Sequence, residues 1–303
     1  QLGSVFVIHN LEEFQATRVR WTESFEAGRL EEALALVEEA FAWAESAGAT
    51  DCRDRALCNR AAIALELGCG ATHIPALREL LLRTGDPENT YLAAYTIARH
   101  YELQKEHRKG LFYAQLARDR AVSLDGNRQA ESLNYIANFL VAESRFEEAM
   151  AVYGEALALL PSQDSLRGAV IGYNLGYCNV LTGRARAGLA LLYRSLRFLL
   201  RSGSEGHAMK AHLDLAFALL ETAHARRAGR HAERALALAE RFEDGEAKKN
   251  ALYLLGAAAV ATGDRVGARR HFERLQQGFY PEADYLPELL LHVDVRDLVN
   301  LKA

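Results

Sequence analysis

Residues 145–161 read Arg-Phe-Glu-Glu-Ala-Met-Ala-Val-Tyr-Gly-Glu-Ala-Leu-Ala-Leu-Leu-Pro. Ala149, Tyr153 and Ala156 recur at helical spacing, so a small, a large and a small residue share one face. Such a face lets a second helix approach closely while the ring fills the space between. The acidic pair Glu147-Glu148 sits in the first turn, where it complements the helix dipole. Pro161 closes the stretch, as a residue that cannot continue a helix.

The same signature recurs along the chain. Leu175-Gly176 precedes Gly183 by seven residues, and Leu255-Gly256 precedes Gly263 by the same seven, with Ala268 and Phe272 beyond. A fixed internal period is the mark of a repeat architecture. Units can be laid down starting near residues 14, 54, 91, 130, 169, 209 and 249, about 39 residues apart. The first carries Gly28, Leu30, Ala33, Val37 and Ala40 in register, the third Ala98, Tyr101, Gly110, Ala114 and Ala117, and the sixth Leu215-Ala216, Ala228, Ala232 and Ala235. The second fits worst: Gly68-Cys69-Gly70-Ala71-Thr72 is irregular and Pro75 opens its second helix.

This pattern resembles the tetratricopeptide (TPR) repeat, the Phe-Glu-Glu-Ala run through Pro161 being the sharpest match. The resemblance implies an all-α fold, an α-α superhelix of antiparallel helix pairs. Helix A ends in a left-handed glycine cap, and neighbouring pairs bury what no single pair can. Turn residues mark the joints between repeats at Gly85-Asp86-Pro87, Leu124-Asp125-Gly126-Asn127, Pro161-Ser162-Gln163-Asp164, Ser202-Gly203-Ser204 and Glu243-Asp244-Gly245. The predicted organisation is an N-terminal segment 1–13, a solenoid over 14–280 and a C-terminal capping helix over 281–303. The cap's apolar face is Leu286, Leu289, Leu290 and Val293. Ser4 to Ile8 could be extended.

Composition agrees. Of 303 residues only 5 are proline, none between Pro161 and Pro281, which suits long helices. With 50% hydrophobic and 25% charged residues, the chain is neither a disordered polymer nor a disulfide scaffold. The longest nearly apolar run, Ala251–Thr262, falls well short of the roughly 18 residues of a spanning helix. Gln1 to Phe14 lacks the basic start of a signal peptide, and its apolar run is four residues long. A first residue other than Met fits a segment of a longer protein and fits simple processing equally well. Cys52, Cys58, Cys69 and Cys178 form no CxxC pair and read as reduced thiols between helices, which points to a cytoplasmic setting.

No constellation of catalytic chemistry is legible. There is no phosphate loop, dinucleotide fingerprint, HExxH or GxSxG. The ten histidines are scattered without ligand spacing. Neither enzyme activity, a cofactor nor a metal is expected. Net charge is −4, with 9 acids and 3 bases over residues 1–50, and 17 bases and 10 acids over 184–275. Arginines at 226, 227, 230, 234, 265, 269 and 270 could meet phosphates, yet no nucleic-acid motif accompanies them. Nucleic acid is an unlikely partner and no membrane role is expected.

In TPR proteins the A helices line an inner groove, and the resemblance places Asn59, Tyr95, Arg99, Asn134, Asn138, Tyr173, Asn174, Tyr177, Lys210, Asp214, Phe217 and Tyr253 there. Asparagine is mildly unfavourable inside a helix, so its use there makes sense if the amide is needed. An amide both donates and accepts, and can hold the backbone of an extended peptide whatever its side chains. Tyrosine adds flat area with a polar tip. The other reading is that these side chains bond to neighbouring helices inside the stack. Asn138, Asn174 and Lys210 match three of the five residues of the family's carboxylate clamp. Asn134 stands where the clamp has its first lysine and Asp214 where it has arginine, which favours an internal or differently charged peptide. The sequence thus predicts a non-enzymatic scaffold for a protein or peptide partner, similar to the TPR modules of bacterial regulators. The alternative is a self-associating structural solenoid, whose head-to-tail contacts the acidic and basic ends would suit.

Overall fold

Seven helix pairs follow one another at the predicted period. In the computed structural model, which describes residues 8–26 and 28–302, the pairs are α1 Leu11–Glu26 with α2 Leu30–Ser46, α3 Thr50–Glu66 with α4 Ile74–Arg83, and α5 Pro87–Leu103 with α6 His107–Ala121. Then come α7 Gly126–Ala142 with α8 Phe146–Leu159, α9 Leu166–Leu181 with α10 Ala185–Arg201, α11 Glu205–Glu221 with α12 Ala225–Arg241, and α13 Gly245–Ala261 with α14 Arg265–Phe279. A short α15, Leu286–His292, follows. Each first helix begins three or four residues before the start laid down for its repeat. Among the described residues there is no strand. The stretch read as extended, Ser4–Ile8, lies outside the described residues except for Ile8, which is buried with Phe14 and Trp21.

The turns explain the regularity. Every A-to-B turn holds one residue at positive φ: Gly28, Gly68, Lys105, Ser144, Gly183, Ala223 and Gly263. The N–H of the next residue then reaches back to an otherwise unpaired helix carbonyl, as from Arg184 to Asn179 at 2.7 Å and from His224 to Leu219 at 2.7 Å. The glycine signal exposed four of these seven turns to sequence reading; the other three use residues for which the conformation is strained.

Small residues let the helices close up. Ala33, Ala40, Ala117, Ala149, Ala156, Ala228 and Ala235 have no exposed surface. A Cβ on Gly256 would stand 2.2 Å from the Phe272 ring, and one on Gly176 would meet Gly188 O at 3.0 Å. Larger side chains fill the spaces, among them Tyr153, Leu192 and Phe272.

The chain divides into two compact units, 1–139 and 140–303, with the division falling within α7. In the first, α3 packs on both α2 and α5. A 3-10 turn at Gly70–His73 replaces the first turn of the expected second helix, which shortens α4 to ten residues with Pro75 near its start. Buried Asp54 anchors α4 by a paired contact to Arg83 at 2.7 and 2.6 Å. In the second unit, α11 packs on its own partner α12 and on the A helices α9 and α13.

The C-terminal region departs from the expected capping helix over 281–303. The α-helix is confined to Leu286–His292, because the chain turns extended at Val293, and a single 3-10 turn follows at Arg296–Leu298. Its buried side chains are Pro287, Leu290 and Leu291, whereas Leu289 and Val293 are exposed. Residues 294–302 continue in another direction, across the A helices.

Candidate functional site

The predicted groove residues separate into two groups. In the first unit Asn59 bonds its own helix, donating from Nδ2 to Arg55 O at 2.9 Å. Tyr95 lies between Tyr91 and Tyr135, with ring centroids 5.6 and 4.6 Å away. Arg99 donates to Glu66 at 3.0 Å and to Glu102 at 2.6 Å, and Asn138 approaches Glu102 at 3.5 Å. Half-buried Asn134 lies one turn before Asn138. Here the A helices are cross-linked by ion pairs and tyrosines. That is the structural reading of these side chains.

In the second unit the predicted residues converge on the chain's own segment 294–302. Asn174 and Asp214 are 5% and 3% exposed, too little for open groove residues. Each accepts a hydrogen bond from Lys302 Nζ at 2.8 Å. The same ammonium lies 5.2 Å from the Tyr173 ring centroid and 5.0 Å from that of Tyr177. Tyr177 is fully buried and backed by Phe217, with centroids 5.5 Å apart. Phe217 is therefore a core residue that supports the site without facing a ligand. Tyr173 is fixed from the other side by His207, whose Nδ1 is 3.4 Å from its hydroxyl. Lys210 is exposed beside the site.

Main-chain bonds flank this pocket. The Leu301 N–H donates to the Tyr177 hydroxyl at 3.2 Å, and its carbonyl accepts from Asn250 Nδ2 at 3.3 Å. The Asn300 amide donates to Val141 O at 2.7 Å and accepts from Tyr177 at 3.3 Å. Arg296 donates to Leu220 O at 2.9 Å and pairs with Glu221 at 3.5 Å. Val141 and Leu220 lie in the last turns of α7 and α11, where carbonyls lack helical partners and the dipole favours a cation. Tyr253 is buried nearby, and burial together with Asp294 pushes its hydroxyl well above the usual tyrosine range. Burial also raises the Asp214 carboxyl above its ordinary value, with Lys302 and then Lys210 opposing the shift.

Sequence reasoning missed Asn250, Asn300, Arg296 and Lys302. Asn250 sits at the second position of repeat seven, the place of Lys210 in repeat six, and the frame could have found it. The other three lie in the region read as a helix, where nothing signalled a groove contact.

Cys58 and Cys178 are buried, and burial pushes each up to about 12. No group of three metal-ligating side chains occurs among the described residues. No described helix is long and apolar enough to cross a membrane.

The fold is that of the tetratricopeptide repeat. No family model matches the chain, and no curated protein does. Solved structures do. The apo form of RapI aligns at a TM-score of 0.61 with 12% identity, covering 92% of this chain and 79% of that one. A Rap protein complexed with competence and sporulation factor aligns at 0.58 with 14% identity, covering 96% and 98%. A tetratricopeptide repeat protein from Parabacteroides merdae aligns at 0.55 with 14% identity, covering 92% and 98%.

Proposed function

We propose that this chain is a non-enzymatic interaction scaffold whose second unit binds a polypeptide segment across the A helices α9, α11 and α13. One observation carries the reading. Residues 296–302 already lie there, held by bonds to their backbone from Tyr177 and Asn250 as well as by side-chain contacts. Amide and hydroxyl groups that satisfy a backbone serve any sequence, which is what a peptide groove requires. The solved neighbour complexed with competence and sporulation factor gives the reading a precedent within the fold.

The test is selection of peptides from a random display library on a full chain carrying Arg296→Ala, Asn300→Ala and Lys302→Ala, which loosen the resident segment. Selected peptides should lose at least tenfold in affinity when Asn250→Ala and Tyr177→Phe are added, with helical content unchanged. Peptides that bind equally well to the added variants would place recognition elsewhere and sink the proposal.

A further inference from the structure

Lys302 is placed by more than charge. Its ammonium meets a buried carboxylate and a buried amide oxygen at 2.8 Å each, and two tyrosine faces at 5.0 and 5.2 Å. A compact cation between ring faces gains from their quadrupoles, most when desolvated. A carboxylate as buried as that of Asp214 is costly without a cation, so the pocket is built around a positive charge. Its depth suits a long flexible stem: the Lys302 side chain keeps only 21% of its surface exposed. The residue before the lysine is gripped through its own N–H and carbonyl, so the site reads a lysine within a polypeptide and not a free amine.

We infer that Tyr173, Asn174, Tyr177 and Asp214 form a lysine-reading subsite of the groove, and that segment 294–302 is its resident occupant, which a partner's lysine-bearing segment displaces. The inference rests on the peptide-groove reading and makes it specific. The resident segment is attached to the same chain, so its local concentration is on the order of millimolar and an outside peptide competes at a disadvantage. The remaining contacts of the segment fit this role. Arg296 and Asn300 cap carbonyls at the ends of α11 and α7, and Leu298 between them is 85% exposed, while Val295, Val299 and Leu301 are half-buried. None of its side chains is fully buried, and its polar bonds to α9, α11 and α13 are of kinds that a partner's backbone and lysine can make in its place.

The experiment uses an acetylated, amidated and fluorescently labelled peptide of residues 293–302, followed by anisotropy against full chains. The Arg296→Ala/Asn300→Ala/Lys302→Ala chain should bind it at least tenfold more tightly than wild type. Replacing the peptide's lysine by norleucine, which keeps the stem and removes the charge, should cost at least tenfold. Asp214→Asn in the chain should cost a similar factor, and the two changes together little more than either alone. Circular dichroism checks that each variant is folded; if Asp214→Asn is not, the norleucine peptide carries the test alone. Equal affinity of wild type and the triple variant would show that the segment does not occupy the groove. A norleucine peptide as tight as the lysine peptide would overturn the lysine subsite while leaving the peptide groove intact. No binding to the triple variant at all would remove both.

Discussion

Asp214 is a buried carboxylate whose partner is the ammonium of Lys302. The side chain is 3% exposed and its cation arrives from 88 residues away in sequence. Removing one member of a buried pair leaves the other desolvated and unmatched, which costs more than the pair itself contributes. Lys302→Ala should therefore lower stability by about 1–3 kcal/mol. Adding Asp214→Asn should restore most of that loss, because the orphaned charge goes with it. Urea unfolding of wild type, each single variant and the double variant completes the cycle, and an additive double variant would show that the two groups do not interact. Asn174, Tyr173 and Tyr177 could be singled out in the sequence because the resemblance to tetratricopeptide repeats sets them on one face of α9. Their occupant was not, because a contact between residues 174 and 302 leaves no periodic trace in a sequence.

Helix ends and helix contacts are set at the scale of the element. The seven A-to-B turns share one geometry, yet glycine supplies it only at Gly28, Gly68, Gly183 and Gly263. At Ala223, with φ of 58°, a Cβ carries the strain. Ala223→Gly should stabilise the chain by up to about 1 kcal/mol, the relief of left-handed strain outweighing the added freedom of the unfolded chain. Gly256→Ala should act in the opposite sense, by about 1–3 kcal/mol or more, because its Cβ would press into the Phe272 ring. Thermal melts of both variants decide the pair, and an Ala223→Gly protein that melts lower would refute the strain argument. The repeat frame could be read because small residues must recur where helices touch. The end of α15 at His292 could not, since Leu289 and Val293 continue a helical apolar pattern that the chain does not bury.

For the whole molecule, pH sensitivity has an identifiable source in its second unit. His212 and His231 meet through their Nδ1 atoms at 2.8 Å, one donating and one accepting, and burial lowers each to about 4. Nearby arginines add to the shift, and His73, His100 and His271 are lowered by burial as well. An unfolded histidine titrates near 6.5, so between about 6.5 and 4 the unfolded chain binds more protons than the folded one. Stability is therefore full above about 6.5 and declines as the pH falls through that window. Melting temperatures measured from pH 7 to 4 should fall, and the slope should flatten in a His212→Leu/His231→Leu variant. A slope unchanged by the double substitution would assign the effect to other groups. These two histidines stand 19 residues apart, and only the pairing of α11 with α12 brings them together.

A groove that is filled at rest also sets a tempo. If a partner's segment takes this place, as proposed, the resident segment must leave first, and capture is then a two-step process whose rate levels off at the rate of opening. Weak encounters that would have lodged in an empty groove meet an occupied one and diffuse away. On that reading the bonds from Arg296 to Lys302 would act as a clock as well as a lock, giving time for a segment with the right cation to be distinguished from one that merely passes.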